Sequence, residues 1–227
     1  MIDVIARNAT CLAEMCLMGL ACLYISFSFY NILKINNIYA RCLVLYLLII
    51  IVYYYIILLK KSPGSVSDYE GIQIKGICKH CKRYKCNRTY HCSTCNKCYY
   101  KRDHHCPWLG KCIAAKNYRE FYLLLLFSNM YLTIFVFTSP NKEIRFVNCY
   151  LLIIFFIFFI WTNFLLIINK TSIEFYKGRR RNQVIEHSIN FNEIKESIYT
   201  ILCENDSNNA IILFFPFLKK KTRIITN

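Results

Sequence analysis

The sequence predicts a membrane all-α fold, in which four transmembrane helices carry a loop of short hairpins, rich in cysteine and histidine, between the second and third. Three observations predict it. Hydrophobic residues make up 56% of the 227 positions, and they arrive in blocks rather than at the spacing of an amphipathic helix or strand. Four such blocks carry no charge at their centres. Between the second and third blocks, residues 75–119 hold few aliphatic side chains but eight of the fourteen cysteines.

The first block, residues 12–33, is mostly apolar, with Glu14 near its outer end. Arg7 precedes it as in a signal peptide, but no small-x-small cleavage site closes the run at Ser28-Phe29-Tyr30, so it is expected to be retained as a span. Residues 42–59 are uninterrupted, and 18 residues at about 1.5 Å each reach about 27 Å, enough to cross a bilayer core. Residues 121–138 and 146–168 follow, the latter densely aromatic and aliphatic. A buried core helix is the alternative for any one block. Four of them leave no sheet or polar face to complete a soluble domain.

The formal net charge of +16 suggests nucleic acid until the charges are located. Of 29 Lys and Arg, 14 lie in residues 60–119 and 10 from Lys170 onward; Arg7 precedes the first span, Lys34 and Arg41 flank one short loop, and Lys142 and Arg145 the other. By the positive-inside rule both termini and the long loop are cytosolic. The charge therefore reads as topology, with some attraction for anionic headgroups and phosphate-bearing ligands. With no recognition-helix pattern in the loop, nucleic acid is not an expected partner. In a reducing cytosol, Cys-x-x-Cys spacing favours metal over disulfide.

Four segments follow from this reading. Residues 1–59 comprise a short N-terminal tail over 1–10 and the first two spans. Residues 60–119, set off by Ser62-Pro63-Gly64-Ser65, form the cysteine-rich domain. Residues 120–169 hold the last two spans. In residues 170–227, Ile194, Ile198 and Ile201 share one face of an expected amphipathic helix over 189–203. The segment 211–218, too short to span and followed by Lys219-Lys220-Lys221, is expected at the interface.

Candidate metal ligands are Cys78, Cys81, Cys92, Cys95, Cys98 and Cys112, with His91 and His105. Two residues between thiolates let a tight turn present both sulfurs to one ion, so this pattern is a strong zinc signal. A sequential partition joins Cys78, Cys81, Cys92 and Cys95. An interleaved one joins Cys78, Cys81, His91 and Cys98, then Cys92, Cys95, His105 and Cys112. Spacing alone leaves both open. In either case metal, rather than an apolar core, holds the segment together. Cys86, His80 and His104 stay outside, as does the thiol of Cys106, two residues after a histidine that Asp103 precedes. A base-adjacent spare thiol on a metal-stapled platform beside a membrane suggests acyl transfer.

Cys78-x2-Cys81, Arg88, His91-Cys92-x2-Cys95-x2-Cys98, Asp103-His104-His105-Cys106-Pro107-Trp108, Cys112, Asn117 and Phe121 together resemble the DHHC-type cysteine-rich domain of protein S-acyltransferases (palmitoyltransferases). Thr171-Ser172-Ile173-Glu174 resembles the Thr-Thr-x-Glu motif after that family's last span. Cys86, Lys111 and Ala114 stand where proline, asparagine and glycine are usual, and Phe191 is the candidate aromatic of the C-terminal motif. The resemblance implies the interleaved partition with two structural Zn2+. It implies Cys106 as nucleophile, His104 as its base and Asp103 as the residue orienting that base. Palmitoyl-CoA or another long-chain acyl-CoA is the implied donor, and cysteine-containing substrate proteins at the membrane are the implied acceptors. Residence in the endomembrane system, Golgi or endoplasmic reticulum, is implied too. Trp108 is a candidate wall for the acyl chain, the alternative being an interfacial aromatic anchor. A catalytically inactive zinc-containing membrane scaffold is the alternative for the whole chain.

Overall fold

The computed structural model describes residues 2–69 and 73–180, with side chains over 9–69 and 73–178. The expected helix over 189–203, the segment 211–218 and Phe191 lie outside the described residues. Four long helices, α1 (Ile2–Ile32), α2 (Ile38–Lys60), α3 (Tyr118–Thr138) and α4 (Lys142–Ile167), precede a short α5 (Ser172–Arg180). Each long helix is long and apolar enough to cross a membrane, over Ala9–Ile32, Ile38–Lys60, Tyr118–Thr138 and Lys142–Ile167.

Helix ends differ from the apolar blocks for local reasons. The Asn37 side chain accepts from Ala40 N, and Asn141 from Glu143 N and Ile144 N, so α2 and α4 each start a turn before their apolar run. α1 begins at Ile2, ahead of its apolar run, because neither proline nor glycine interrupts residues 2–18.

α3 is central, packed between α2 and α4. Ile50, Leu123 and Phe127 are fully buried, and the rings of Tyr54 and Phe127 stack at 5.8 Å. Tyr24 donates to Asn148 across α1 and α4 at 2.6 Å, and Tyr122 to Asn163 across α3 and α4 at 3.0 Å. Such bonds hold helices together where apolar contact alone discriminates little. Leu20, Leu23 and Phe27 on α1 and Phe156, Ile157 and Ile160 on α4 point outward and are exposed.

The segment between α2 and α3 forms three antiparallel hairpins: β1 (Ile74–Ile77) with β2 (Tyr84–Cys86), β3 (Thr89–Cys92) with β4 (Lys97–Tyr100), and β5 (His104–Cys106) with β6 (Lys111–Ile113). Lys82 and Asn96, each directly after the second cysteine of a Cys-x-x-Cys pair, have φ of 56° and 49°. Left-handed backbone costs a non-glycine residue roughly 1–2 kcal/mol, an amount that metal binding readily offsets. Gly110 (φ 58°) closes the 3-10 turn Pro107–Leu109 and turns the chain back into β6.

Side chains fasten these hairpins to the helices. Lys61 pairs with Glu120 at 2.6 Å. The buried Asn117 accepts from Ala114 N at 2.9 Å and donates to the Cys112 carbonyl at 3.1 Å, joining β6 to the start of α3. Lys111 Nζ donates to the carbonyls of Leu58, Leu59 and Lys61 at 3.0, 2.8 and 3.1 Å, capping the C-terminal end of α2. A cation suits that end of the helix dipole, while burial pushes the Lys111 amine down.

Candidate functional site

Strand alternation sorts the chemistry of the hairpins. Successive side chains point to opposite faces of a strand. His91 and Cys92, adjacent on β3, therefore serve different groups of donors. Cys78, Cys81, His91 and Cys98 converge in one group, and Cys92, Cys95, His105 and Cys112 in another, with donor atoms in each within 4.8 Å of one another. This is the interleaved arrangement. In each group the histidine faces a cysteine directly across its hairpin, His91 opposite Cys98 and His105 opposite Cys112.

The spacing of the donor atoms tests the fit to zinc. Four ligands at about 2.1–2.3 Å on a tetrahedron lie about 3.4–3.8 Å apart. Cys81 and Cys98 Sγ are 3.5 Å apart, Cys95 and Cys112 Sγ 3.7 Å, and His105 Nδ1 lies 3.3 Å from Cys95 Sγ. His91 Nδ1 to Cys98 Sγ is 3.9 Å. Both groups are Cys3His clusters of the kind that holds zinc.

On β5 the same alternation turns His105 toward its group and leaves His104 and Cys106 on the opposite face. Cys106 is in neither donor group. It is 7% exposed and packs with Leu58, Leu109, Ile113 and Phe121, at the apolar ends of α2 and α3. His104 Nδ1 lies 2.7 Å from Asp103 Oδ2, and its ring meets Phe121 edge-on at 5.1 Å. Burial alone pushes the His104 imidazole down, yet the hydrogen bonds of Asp103 and Cys106, with their charges, more than reverse this and hold it at about 9. Asp103 is itself clamped. Its Oδ1 accepts from Ser172 N at 2.6 Å, and its Oδ2 from Ser172 Oγ at 3.1 Å.

Residues 72–179 match the family model described as DHHC palmitoyltransferase. They form a DHHC-family domain. No curated protein matches the chain. The matched residues run beyond the hairpins to α5, and the structure supplies a physical reason for including it. Thr171-Ser172-Ile173-Glu174 is a capping box: Thr171 Oγ1 accepts from Glu174 N at 3.3 Å, and Glu174 Oε2 accepts from Thr171 N at 2.9 Å. Glu174 also takes a bidentate pair from Arg88, at 2.8 Å from Nε and 2.7 Å from Nη2. The start of α5 thus holds Asp103 through Ser172 and the β2–β3 turn through Arg88.

The other sequence candidates of the DHHC domain lie elsewhere on the hairpins and their turns. Trp108 is 50% exposed on the turn after Cys106, its carbonyl accepting from Tyr55 of α2 at 3.1 Å. Cys86 is buried beside Thr89, and His80 stacks on His91 at 5.0 Å. A cavity of about 170 Å3 is lined by Arg88, Lys101, Arg119 and Lys170 with Tyr118 and Thr171. Sequence reasoning assigned no role to Glu14, Lys111 or Ser172. For Ser172 a Thr-x-x-Glu box after an apolar run signals the helix start on which it sits, but not its contact with Asp103.

Proposed function

We propose that this chain is a protein-cysteine S-acyltransferase that moves a long-chain acyl group, palmitoyl first among them, from acyl-CoA to cysteine thiols of membrane-associated proteins. One observation carries the reading: Cys106 stands apart from both donor groups, on the same strand face as a histidine that an aspartate holds at 2.7 Å. With Nδ1 donating to Asp103, His104 Nε2 holds the proton that Cys106 gives up, and the partners that raise the imidazole favour the resulting imidazolium–thiolate pair. The sulfur then attacks the thioester carbonyl. A new carbon–sulfur bond forms, the bond to CoA breaks, and the leaving thiolate collects the proton from His104. Attack by a substrate thiol on the S-acyl-Cys106 reverses these roles and regenerates the free cysteine.

Cys78, Cys81, His91 and Cys98 would hold one structural Zn2+, and Cys92, Cys95, His105 and Cys112 the other. With four protein donors each, bound zinc supplies rigidity and has no open position for Lewis-acid chemistry. In this reading the four apolar helices are inserted in an endomembrane, with both termini and the 60–119 domain cytosolic. Support comes from Lys60, Lys61, Arg119 and Lys170, which flank the helix ends next to that domain. The apolar surroundings of Cys106 suit a chain whose burial gains about 0.8 kcal/mol per methylene, and Trp108 is the candidate wall. The cation-lined cavity beside Thr171 suits the CoA phosphates.

The test is incubation of the purified full chain with labelled palmitoyl-CoA. Hydroxylamine-sensitive label should appear on the wild type and be absent from Cys106→Ser. A zinc-replete wild type that stays unlabelled would favour the inactive scaffold instead.

A further inference from the structure

Glu14 is the single Asp, Glu, Lys or Arg in residues 9–32. A carboxylate in an apolar span is costly unless it has a dedicated partner. Its partner is His105. Glu14 Oε1 lies 2.8 Å from His105 Nε2, and the two side chains are 15% and 13% exposed. The other ring nitrogen, Nδ1, faces Cys95 Sγ at 3.3 Å and both Cys92 and Cys112 Sγ at 3.7 Å.

An imidazole that gives its Nδ1 lone pair to a metal carries its proton on Nε2, and that N–H needs an acceptor. Glu14 provides it. A carboxylate in this position fixes the ring's tautomer and orientation and makes the ligand more basic. The contact has a second anchor close by. A Cβ built on Gly110 would lie 3.6 Å from Glu14 Oε2 and 3.7 Å from Met18 Sδ. α1 therefore rests on the turn that directly follows Cys106. Among the described residues no carboxylate pairs with His91, so the two groups differ in this respect.

We propose that Glu14 is a positioning residue for the Cys92, Cys95, His105 and Cys112 group: its carboxylate locks His105 in the metal-binding tautomer and so ties the N-terminal helix to the strand that carries Cys106. The proposal rests on reading that group as a zinc site, and it does not depend on acyl transfer.

The experiment counts zinc on the purified full-length chain by native mass spectrometry during exposure to excess chelator. Glu14→Gln should release one of its two zinc ions about 10- to 100-fold faster than wild type, while the other leaves at the wild-type rate. Glu14→Asp, which keeps the charge on a shorter arm, should fall between the two. Met18→Ala removes packing at the same turn but leaves the carboxylate, and should release both ions as wild type does. Wild-type rates for Glu14→Gln would overturn the proposal. So would equal acceleration of both ions, or acceleration in Met18→Ala matching that in the Glu14 variant. If Glu14→Gln does not fold, Glu14→Asp against Met18→Ala decides by the same criterion. A wild type holding fewer than two zinc ions would overturn the zinc reading itself. A zinc-replete wild type without acyl transfer would overturn the proposed reaction and leave the result on Glu14 standing.

Discussion

Asp103→Asn is the sharpest perturbation of the proposed chemistry, because the Asp103 carboxylate acts only as an acceptor in its contacts with His104 and Ser172. Oδ2 receives His104 Nδ1 and Ser172 Oγ, and Oδ1 receives Ser172 N at 2.6 Å. An asparagine must turn its NH2 toward one side or the other. On one side it opposes the Ser172 amide; on the other it forces His104 to accept at Nδ1, placing the proton on Nε2, where a base is needed. Holding His104 at about 9 rather than 6.5 corresponds to about 3 kcal/mol in favour of the imidazolium. Asp103 is first among the groups that raise it. If Asp103 supplies between half and all of that, acyl-enzyme formation slows by about 10- to 200-fold. The assay is single-turnover labelling with palmitoyl-CoA, with zinc counted on the same sample. Labelling at the wild-type rate with two zinc ions bound would refute the role of Asp103. Slow labelling accompanied by zinc loss would show that the change acts through folding.

Further outcomes are expected from contacts away from Cys106. Cys78→Ala should release zinc and abolish labelling although it leaves Cys106 intact, and a zinc-depleted variant that still labels would contradict a structural role for the metal. Glu174→Gln removes the bidentate partner of Arg88. Because Arg88 stays 29% exposed and keeps the Asn169 carbonyl at 2.9 Å, the loss should be about 2 kcal/mol, below that of a fully buried pair. Thermal unfolding should then move down by about 4–8 °C, and an unchanged midpoint would show that the pair adds nothing. Lys111→Met strips three carbonyls of their donor and should cost about 1–3 kcal/mol, read as a lower melting temperature with both zinc ions retained.

Hydropathy located all four helices because each apolar block is long enough to stand alone. It missed the first turns of α2 and α4, where Asn37 and Asn141 supply the caps. The metal groups were half legible. Cys-x-x-Cys spacing says which two sulfurs share an ion, but the completing ligands depend on hairpin register, and both partitions fit the spacing. Adjacency of His91 and Cys92 on one strand was the available clue, since neighbours on a strand cannot face one site. His104 and Cys106, two apart, share a face for the same reason. Glu14, Lys111 and Ser172 were not legible in their roles. Each acts across 50 residues or more, on His105, on the end of α2 and on Asp103, and no local pattern encodes such a contact. Lys111 also replaces the asparagine usual at its position, so resemblance gave no guide to its new bonds.

The most direct measurement is the intact native mass of the full chain after exposure to palmitoyl-CoA, followed by peptide mapping. The expected species carries two zinc ions and one palmitoyl group together, with the group on Cys106. Acyl transfer seen only on chains that have lost zinc, or residing on another cysteine, would contradict a free thiol set beside two closed metal groups.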